Sequence, residues 1–204
     1  MTPRLVLATA NAAKAGELRT LLDGLGYEIQ TARDYPALRL PPAGDPSYAD
    51  NARAKARAAV AVTRAVALGD DSGLEVEALG GRPGMASARY GGSGLTDAER
   101  VERLLAELAG APSRAARFRC VLALAAPWGE EAVVEGIVDG VLAERPRGAG
   151  GFGYDPIFVV PALGRTLAEL SPADKHRLSH RGHAVAAARP ILTRWRTRAA
   201  VGGS

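Results

Sequence analysis

The 204-residue sequence contains only one cysteine, Cys120, and this scarcity excludes a disulfide bond within the chain. A single thiol suits a reducing compartment, so we expect a cytoplasmic protein. Cys120 lies inside the apolar run "FRCVLALAA", where a buried structural thiol is a better interpretation than a catalytic nucleophile.

Long apolar runs are also missing. No run approaches the roughly 20 residues that a membrane-spanning helix needs. The first apolar stretch, residues 4–8, is too short for the core of a signal peptide. We therefore expect a protein that associates with no membrane.

Two familiar catalytic motifs are absent as well. The sequence has neither the GxxxxGKS/T spacing of a P-loop nor the HExxH spacing of a zinc hydrolase. All three histidines lie within residues 176–183. Without a second set of ligands, they do not predict a zinc site.

The excess of positive charge is small. The 26 lysine and arginine residues against 22 aspartate and glutamate residues give a net charge of +4. This excess indicates either an arginine-rich surface or an anionic partner, which would be a nucleic acid or a phosphorylated small molecule. The lysines stand singly near turn residues or histidine, as Lys14, Lys55 and Lys175 do, rather than in a polybasic stripe. This pattern favours a small anionic ligand, and we expect no binding to nucleic acid.

Short apolar runs alternate with helical patterns, which predicts an α/β fold. Residues 4–8 and 27–32 are typical of strands, and the leucines of residues 11–26 fall at helical spacing, so the chain opens as β-α-β with parallel pairing. The pattern further predicts helices over residues 48–66, 96–110 and 172–198, and two long strands over residues 116–127 and 131–144. With no linker or repeat, we expect a single domain over residues 1–204, with a mixed sheet and two lobes separated by a groove.

Two adjacent aspartates, Asp70 and Asp71, stand where the apolar run of residues 66–69 ends. Neighbouring carboxylates repel each other and are costly to bury. Successive side chains of a strand point to opposite faces, so one acid should face the groove and the other a neighbouring loop. Two carboxylates at the end of a strand are suited to Mg²⁺, together with substrate phosphate oxygens. The alternative is a solvated turn completed by Ser72 and Gly73.

The stretch "ATANAAK", residues 8–14, is typical of a turn between a strand and a helix. Backbone N–H groups at the start of such a helix can bind phosphate, and Lys14 supplies a positive charge. The sequence therefore indicates an anion-binding turn, although the motif is weak by itself.

Two further stretches combine aromatic, acidic and basic side chains. In "GAGGFGYDPIF", residues 148–158, Phe152 and Tyr154 offer aromatic faces for a base, and Asp155 offers an acceptor for purine N–H groups. The alternative is a flexible hairpin with a buried aromatic. The stretch "SPADKHRLSHRGHA", residues 171–184, concentrates cations and histidines on a predicted helix.

Together these stretches resemble the inosine/xanthosine triphosphate pyrophosphatases. The resemblance covers nearly the whole chain, because the motifs follow in the family's order: "LVLATANAAK", "NARAKA", "DDSGLEVEALGGRPGMASARYGG", "GGFGYDPIF" and "SHRGHA". It implies an elongated α/β fold with a long mixed β-sheet, two lobes and a central nucleotide-binding cleft, assembled as a homodimer. It also implies Mg²⁺-dependent hydrolysis of ITP, dITP and XTP to the monophosphate and pyrophosphate.

The resemblance also implies roles for individual residues. Asp71 would act as general base and metal ligand, with Asp70 beside it as a second metal ligand. The triphosphate would be held by Thr9, Ala10, Asn11, Ala12, Ala13, Lys14 and Lys55. The rest of the nucleotide would contact Ser72, Phe152, Gly153, Tyr154 and Asp155, and the 6-keto group of the base would be read by Lys175, His180 and Arg181.

The sequence departs from the family pattern at two places. Ala10 stands where the family usually has glycine, and Pro42 stands near the place of a metal-binding glutamate, for which Asp45 is a candidate substitute. A related pyrophosphatase selective for modified pyrimidine or other nucleotides is the alternative enzyme. The motifs "SHR" and "FGYD" favour 6-keto purines instead.

Overall fold

The structure is a computed structural model that describes residues 2–42, 44 and 46–201. These residues form eight strands and five α-helices, joined by turns and one-turn 3-10 helices. The strands are β1 (Arg4–Ala8), β2 (Glu28–Thr31), β3 (Val66–Val76), β4 (Pro83–Gly84), β5 (Ala115–Ala125), β6 (Glu131–Leu142), β7 (Phe158–Val160) and β8 (Arg165–Thr166). The helices are α1 (Ala12–Leu21), α2 (Tyr48–Thr63), α3 (Asp97–Glu107), α4 (Pro172–Leu178) and α5 (His180–Val201). Among the described residues, every helix is too short or too polar to span a bilayer.

The eight described strands belong to one mixed sheet. Its order is β2-β1-β3-β5-β6-β7-β8, with β4 paired to β3. β1 runs parallel to both β2 and β3, whereas β4, β7 and β8 join by antiparallel pairing. The predicted β-α-β opening and the α/β fold with a long mixed sheet are confirmed.

The chain forms two compact units, in agreement with the two predicted lobes. The first unit contains the described residues of segments 1–71, 120–136 and 181–204, and the second contains residues 72–119 and 137–180. The core of the first unit is built from β1, β3, β5, α1 and α5, with Leu7, Leu68 and Trp195 buried. In the core of the second unit, Leu104 and Phe158 are buried. The central cleft and the assignment of residues 1–204 to a single domain stay predictions.

Two sequence-based boundaries are wrong. Asp70 and Asp71 do not end a strand, because β3 continues through them to Val76, and its second half pairs with β4. The neighbouring strand β1 does end there, since its pairing with β3 stops at Ala8 opposite Gly69. The aspartates therefore lie just beyond the last residue of β3 that pairs with β1, although they are in the middle of β3 itself.

The predicted helix over residues 172–198 is two helices. Ser179 ends α4 with an extended backbone, φ −79° and ψ 156°, and α5 starts at His180. Ser171 caps the start of α4, since its side chain accepts the Asp174 N–H at 3.1 Å. The break changes the direction of the chain just before His180 and Arg181, two of the predicted site residues.

Candidate active site

The approach of α2 to β3 brings polar side chains to Asp71. A side chain at Gly69 would lie 2.1 Å from the Ala52 carbonyl oxygen, so the two backbones can come this close only with glycine at that position. Ala52 and Ala56 are fully buried at this contact. Because Asn51 and Lys55 stand one helical turn apart on α2, they reach β3 together.

Asp71 is held by two different donors. The Lys55 ammonium lies 3.0 Å from Asp71 Oδ1, and Asn51 Nδ2 donates to Oδ2 at 3.1 Å. Lys55 also donates to the Asp70 carbonyl oxygen at 2.9 Å, which ties the side chain to the strand itself. The Lys55 side chain keeps 14% of its surface exposed, so a ligand can still reach its charge.

Asp70 points to the other face of the strand, as the alternation of side chains predicts. Its carboxylate pairs with the Lys14 ammonium, lies 3.5 Å from the Arg181 guanidinium and accepts from the Cys120 thiol at 3.3 Å. Burial acts to raise the pKa of Asp70, but the charges of Lys14 and Arg181 outweigh it and hold that pKa well below its usual value. Asp70 is therefore an ionised, fully buried carboxylate.

Arg181 connects Asp70 to helix α1. Its guanidinium is 2% exposed and lies 2.5 Å from the Glu17 carboxylate. The cluster in this unit thus contains three acids, Glu17, Asp70 and Asp71, and three cations, Lys14, Lys55 and Arg181. The charges balance, which is what burial of several ionised groups requires.

The motifs in the sequence did not indicate three residues that contact the aspartates or Arg181 at this site: Glu17, Asn51 and Cys120. Helical spacing was the available signal for two of them, since Glu17 follows Lys14 by three residues and Asn51 precedes Lys55 by four. No local signal marks Cys120, because its contact with Asp70 depends on the pairing of β3 with β5.

The predicted anion-binding turn has the expected geometry. Thr9 Oγ1 accepts the Asn11 N–H at 3.2 Å, and Asn11 caps α1 by accepting the Lys14 N–H at 3.1 Å. Ala12 and Ala13 open the helix, so their N–H groups have no partner within it. A pocket of about 250 Å³ lies beside this turn, lined by Thr9, Ala10, Asn11, Ala12, Ala15, Gly16, Arg19, Thr31 and Arg33.

The second unit holds a separate group of predicted site residues. Lys175 Nζ lies 2.6 Å from Asp155 Oδ2, which also accepts the Phe152 N–H at 2.8 Å. The Lys175 ammonium stands 5.0 Å from the centre of the Phe152 ring. Asp155 and Lys175 are buried, whereas Phe152 is only half-buried. Asp155 thus fixes both the loop and the lysine next to an accessible aromatic ring.

Other predicted residues of this unit have structural contacts. Tyr154 is 4% exposed and donates to the Ser87 carbonyl oxygen at 3.0 Å, so its ring belongs to the core and not to an open stacking surface. The Gly153 N–H donates to Asp97 at 2.7 Å. His180 stacks on Phe118 with ring centres 4.6 Å apart. Ser72, which follows Asp71 on β3, is half-buried.

The described residues contain no group of three or more histidine, cysteine, aspartate or glutamate side chains that could hold a metal ion. Mg²⁺ does not need such a group, because it is often bound by one or two carboxylates with water and substrate phosphates. Each Asp71 oxygen accepts one hydrogen bond and keeps a free lone pair, so this residue fits Mg²⁺. The Pro42 side chain has no atom that can bind a metal ion, and Asp45 lies outside the described residues.

The comparisons with known proteins identify the family of the chain. The Ham1 family model matches residues 5–191. The dITP/XTP pyrophosphatase of Geobacillus kaustophilus is 46% identical over 183 residues, which cover 89% of this chain and 90% of that protein. The protein of the same name from Gloeobacter violaceus is 52% identical over 181 residues, with the same coverage. A solved HAM1 protein from Coxiella burnetii is 39% identical, with a TM-score of 0.85 over 94% of this chain and 99% of that chain. On this evidence, the chain belongs to the Ham1 family.

Proposed function

We propose that the protein hydrolyses non-standard purine nucleoside triphosphates, ITP, dITP and XTP, to the monophosphate and pyrophosphate. The observation that carries the proposal is the charge-balanced cluster in which Asp70 and Asp71 meet Lys14 and Lys55 beside an anion-binding turn. Family membership supports the substrate class, since the two curated relatives described above are both named dITP/XTP pyrophosphatases.

The cations of the first unit would bind the triphosphate. Lys14 and Lys55 keep 16% and 14% of their side-chain surfaces exposed, so both can exchange part of their contact with carboxylates for contact with phosphate oxygens. The N–H groups at the start of α1 add neutral donors to the same anion. Binding through fixed groups of this kind places the α-phosphorus for attack and stabilises charge in the transition state.

Asp71 is the proposed general base. Its carboxylate would take a proton from a water molecule as the water oxygen attacks the α-phosphorus. The bond from the α-phosphorus to the bridging oxygen then breaks, and pyrophosphate leaves with the electron pair. Lys55, on Asp71 Oδ1, orients the carboxylate during this transfer.

Mg²⁺ is the proposed cofactor, held by Asp71 with Asp70 beside it and completed by phosphate oxygens. When bound, the ion would neutralise phosphate charge and polarise the reacting oxygens. The buried partners of Asp70 leave Asp71 as the main protein ligand. We therefore expect affinity for Mg²⁺ to depend on the bound triphosphate.

The second unit is proposed to bind the base. Phe152 would stack on it, with Asp155 and Lys175 holding the loop and His180 contributing to the reading of the 6-keto group. A donor aimed at this oxygen would face the 6-amino group of adenine instead, which costs roughly 1–3 kcal/mol for each buried polar group left unpaired. The role of Arg181 in reading the base stays a prediction, since its guanidinium lies between Glu17 and Asp70.

Two further proposals concern the oligomeric state of the enzyme and its cellular compartment. The resemblance favours a homodimer, and the single buried cysteine suits the reducing cytoplasm.

Pyrophosphate release from ITP, XTP, GTP and ATP, each with and without Mg²⁺, tests the proposed function. We expect Mg²⁺-dependent release from ITP and XTP and little release from GTP and ATP. Equal turnover of all four substrates would contradict the selectivity. No release from any of them would contradict the reaction.

Asp71→Asn should lower turnover of ITP by ~100-fold or more, because an amide cannot accept the proton of the attacking water. The fold should survive, since the amide has nearly the same shape. The matched control is Asp139→Asn, which changes an aspartate whose side chain is 77% exposed and should leave turnover unchanged. Wild-type turnover in the folded Asp71→Asn variant would remove Asp71 from the chemistry.

A further inference from the structure

We propose that Asn51 is a positioning residue that fixes the orientation of the Asp71 carboxylate for catalysis. This inference rests on the proposed function, in which Asp71 is the general base. Asn51 precedes Lys55 by one helical turn in "NARAKA", a stretch from which only the lysine was assigned a role.

The contact between the two side chains is buried. Asn51 is 2% exposed and Asp71 is 5% exposed, and Asn51 Nδ2 lies 3.1 Å from Asp71 Oδ2. At this depth, water cannot easily replace a lost donor, so the hydrogen bond controls the position of the carboxylate more strongly than a surface contact would.

The orientation of the Asn51 amide is itself determined by the backbone. The Gly44 N–H donates to Asn51 Oδ1 at 3.0 Å. Because an N–H group can pair only with the amide oxygen, the amide nitrogen must point the other way, toward Asp71. The Gly44 backbone is thereby connected to Asp71 through the Asn51 side chain.

The two donors on Asp71 act on different oxygens. Lys55 holds Oδ1 and Asn51 holds Oδ2, so the carboxylate cannot rotate without losing one of them. With Asn51 removed, the lysine alone would hold Asp71, and its long flexible side chain permits several carboxylate orientations. A base displaced by a fraction of an ångström from its water molecule transfers the proton less efficiently.

Asn51→Leu tests the inference, because leucine has a similar shape and no donor. We expect kcat for ITP to fall ~10- to 100-fold, while KM changes by less than about threefold because Asn51 does not hold the triphosphate. The matched control is Thr63→Val on the same helix. Thr63 is also buried, and its hydroxyl bonds to the Ala59 carbonyl oxygen at 2.8 Å. Loss of this hydrogen bond in Thr63→Val should lower the melting temperature of the protein without changing kcat.

A folded Asn51→Leu variant with wild-type kcat would overturn the inference, and so would a KM increase that accounts for the whole loss. If Asn51→Leu does not fold, a comparison of Gly44→Pro with Gly44→Ala decides instead. Only proline removes the N–H that orients the amide, and a Cβ at Gly44 meets no described heavy atom within 4 Å. Equal kcat in these two variants would overturn the inference. An inactive wild-type protein would instead refute the proposed function.

Discussion

At the scale of single residues, two identical neighbours acquire different properties. Asp70 is enclosed by Lys14, Arg181 and the Cys120 thiol, whereas Asp71 is held by Lys55 and the neutral amide of Asn51. Asp70 therefore acts mainly as an internal counter-ion. Asp71 pairs with one cation instead of two and keeps 8% of its side-chain surface exposed, against 0% for Asp70, and this is why the proposed proton transfer is assigned to it.

Cys120 permits a prediction at this scale. Burial raises the pKa of its thiol well above the usual value, and the Asp70 carboxylate raises it further. Because the thiolate is the reactive form, we expect Ellman's reagent to modify the folded protein at least ~100-fold more slowly than the protein in urea. The rates are followed by absorbance under both conditions. Fast labelling of the folded protein would contradict a buried thiol with a raised pKa.

At the scale of elements, two arginines of helix α5 have a structural role at the end of α1. Arg189 donates to the carbonyl oxygens of Leu21 and Asp23, at 2.8 and 3.0 Å, and Arg196 donates to that of Leu25 at 3.2 Å. These carbonyls lie at the end of α1 or just after it, where helical partners run out. Part of the positive charge therefore stabilises the fold, in agreement with the surface interpretation of the net charge.

Tyr27 provides a prediction for the same contact. Its hydroxyl donates to the Leu192 carbonyl oxygen of α5 at 2.9 Å, and burial, opposed in part by the charge of Arg196, raises its pKa to about 12. A raised pKa means that the neutral form stabilises the folded state. This contribution is complete below the unfolded pKa of about 10 and is lost as the pH rises through about 12.

Tyr27→Phe should therefore destabilise the protein by ~1 kcal/mol at pH 8. The difference from the wild type should shrink between about pH 10 and pH 12. Urea unfolding of both proteins at several pH values measures this difference. A difference that is constant up to pH 12 would contradict the raised pKa.

At the scale of the whole molecule, the chain crosses between the two units within long strands. The boundaries fall at Asp71, Cys120 and Gly136, which lie inside β3, β5 and β6, and again at the start of α5. Asp70 and Asp71 thus lie within β3, at the point where the first segment of the first unit ends. The acid cluster belongs to the first unit, and the proposed base-binding loop belongs to the second.

The proposed homodimer gives a prediction at this scale. Sedimentation at micromolar concentration should give twice the chain mass of 21.2 kDa. Oligomers of this kind usually have closed symmetry, so larger species should not accumulate as the concentration rises. A constant monomer mass at all concentrations would contradict the dimer.

The sequence by itself determined the features that depend on neighbouring residues. Alternating patterns predicted the parallel β-α-β opening. The three-residue spacing of Thr96 and Glu99 is that of a capping box, and the structure has this box at the start of α3. The opposite orientation of Asp70 and Asp71 also followed from the geometry of one strand. Such features are encoded within a few residues, so spacing alone reveals them.

Only the tertiary structure decided which side chains meet. Arg181 pairs with Glu17 across 164 positions of sequence, and Asn51 reaches Asp71 because Gly69 lets α2 approach β3. The continuation of β3 past the aspartates likewise depends on pairing with β4, and Ser179 divides the last helical segment although no glycine or proline marks a break there. These outcomes depend on the packing of distant elements, which local propensity and periodicity do not specify.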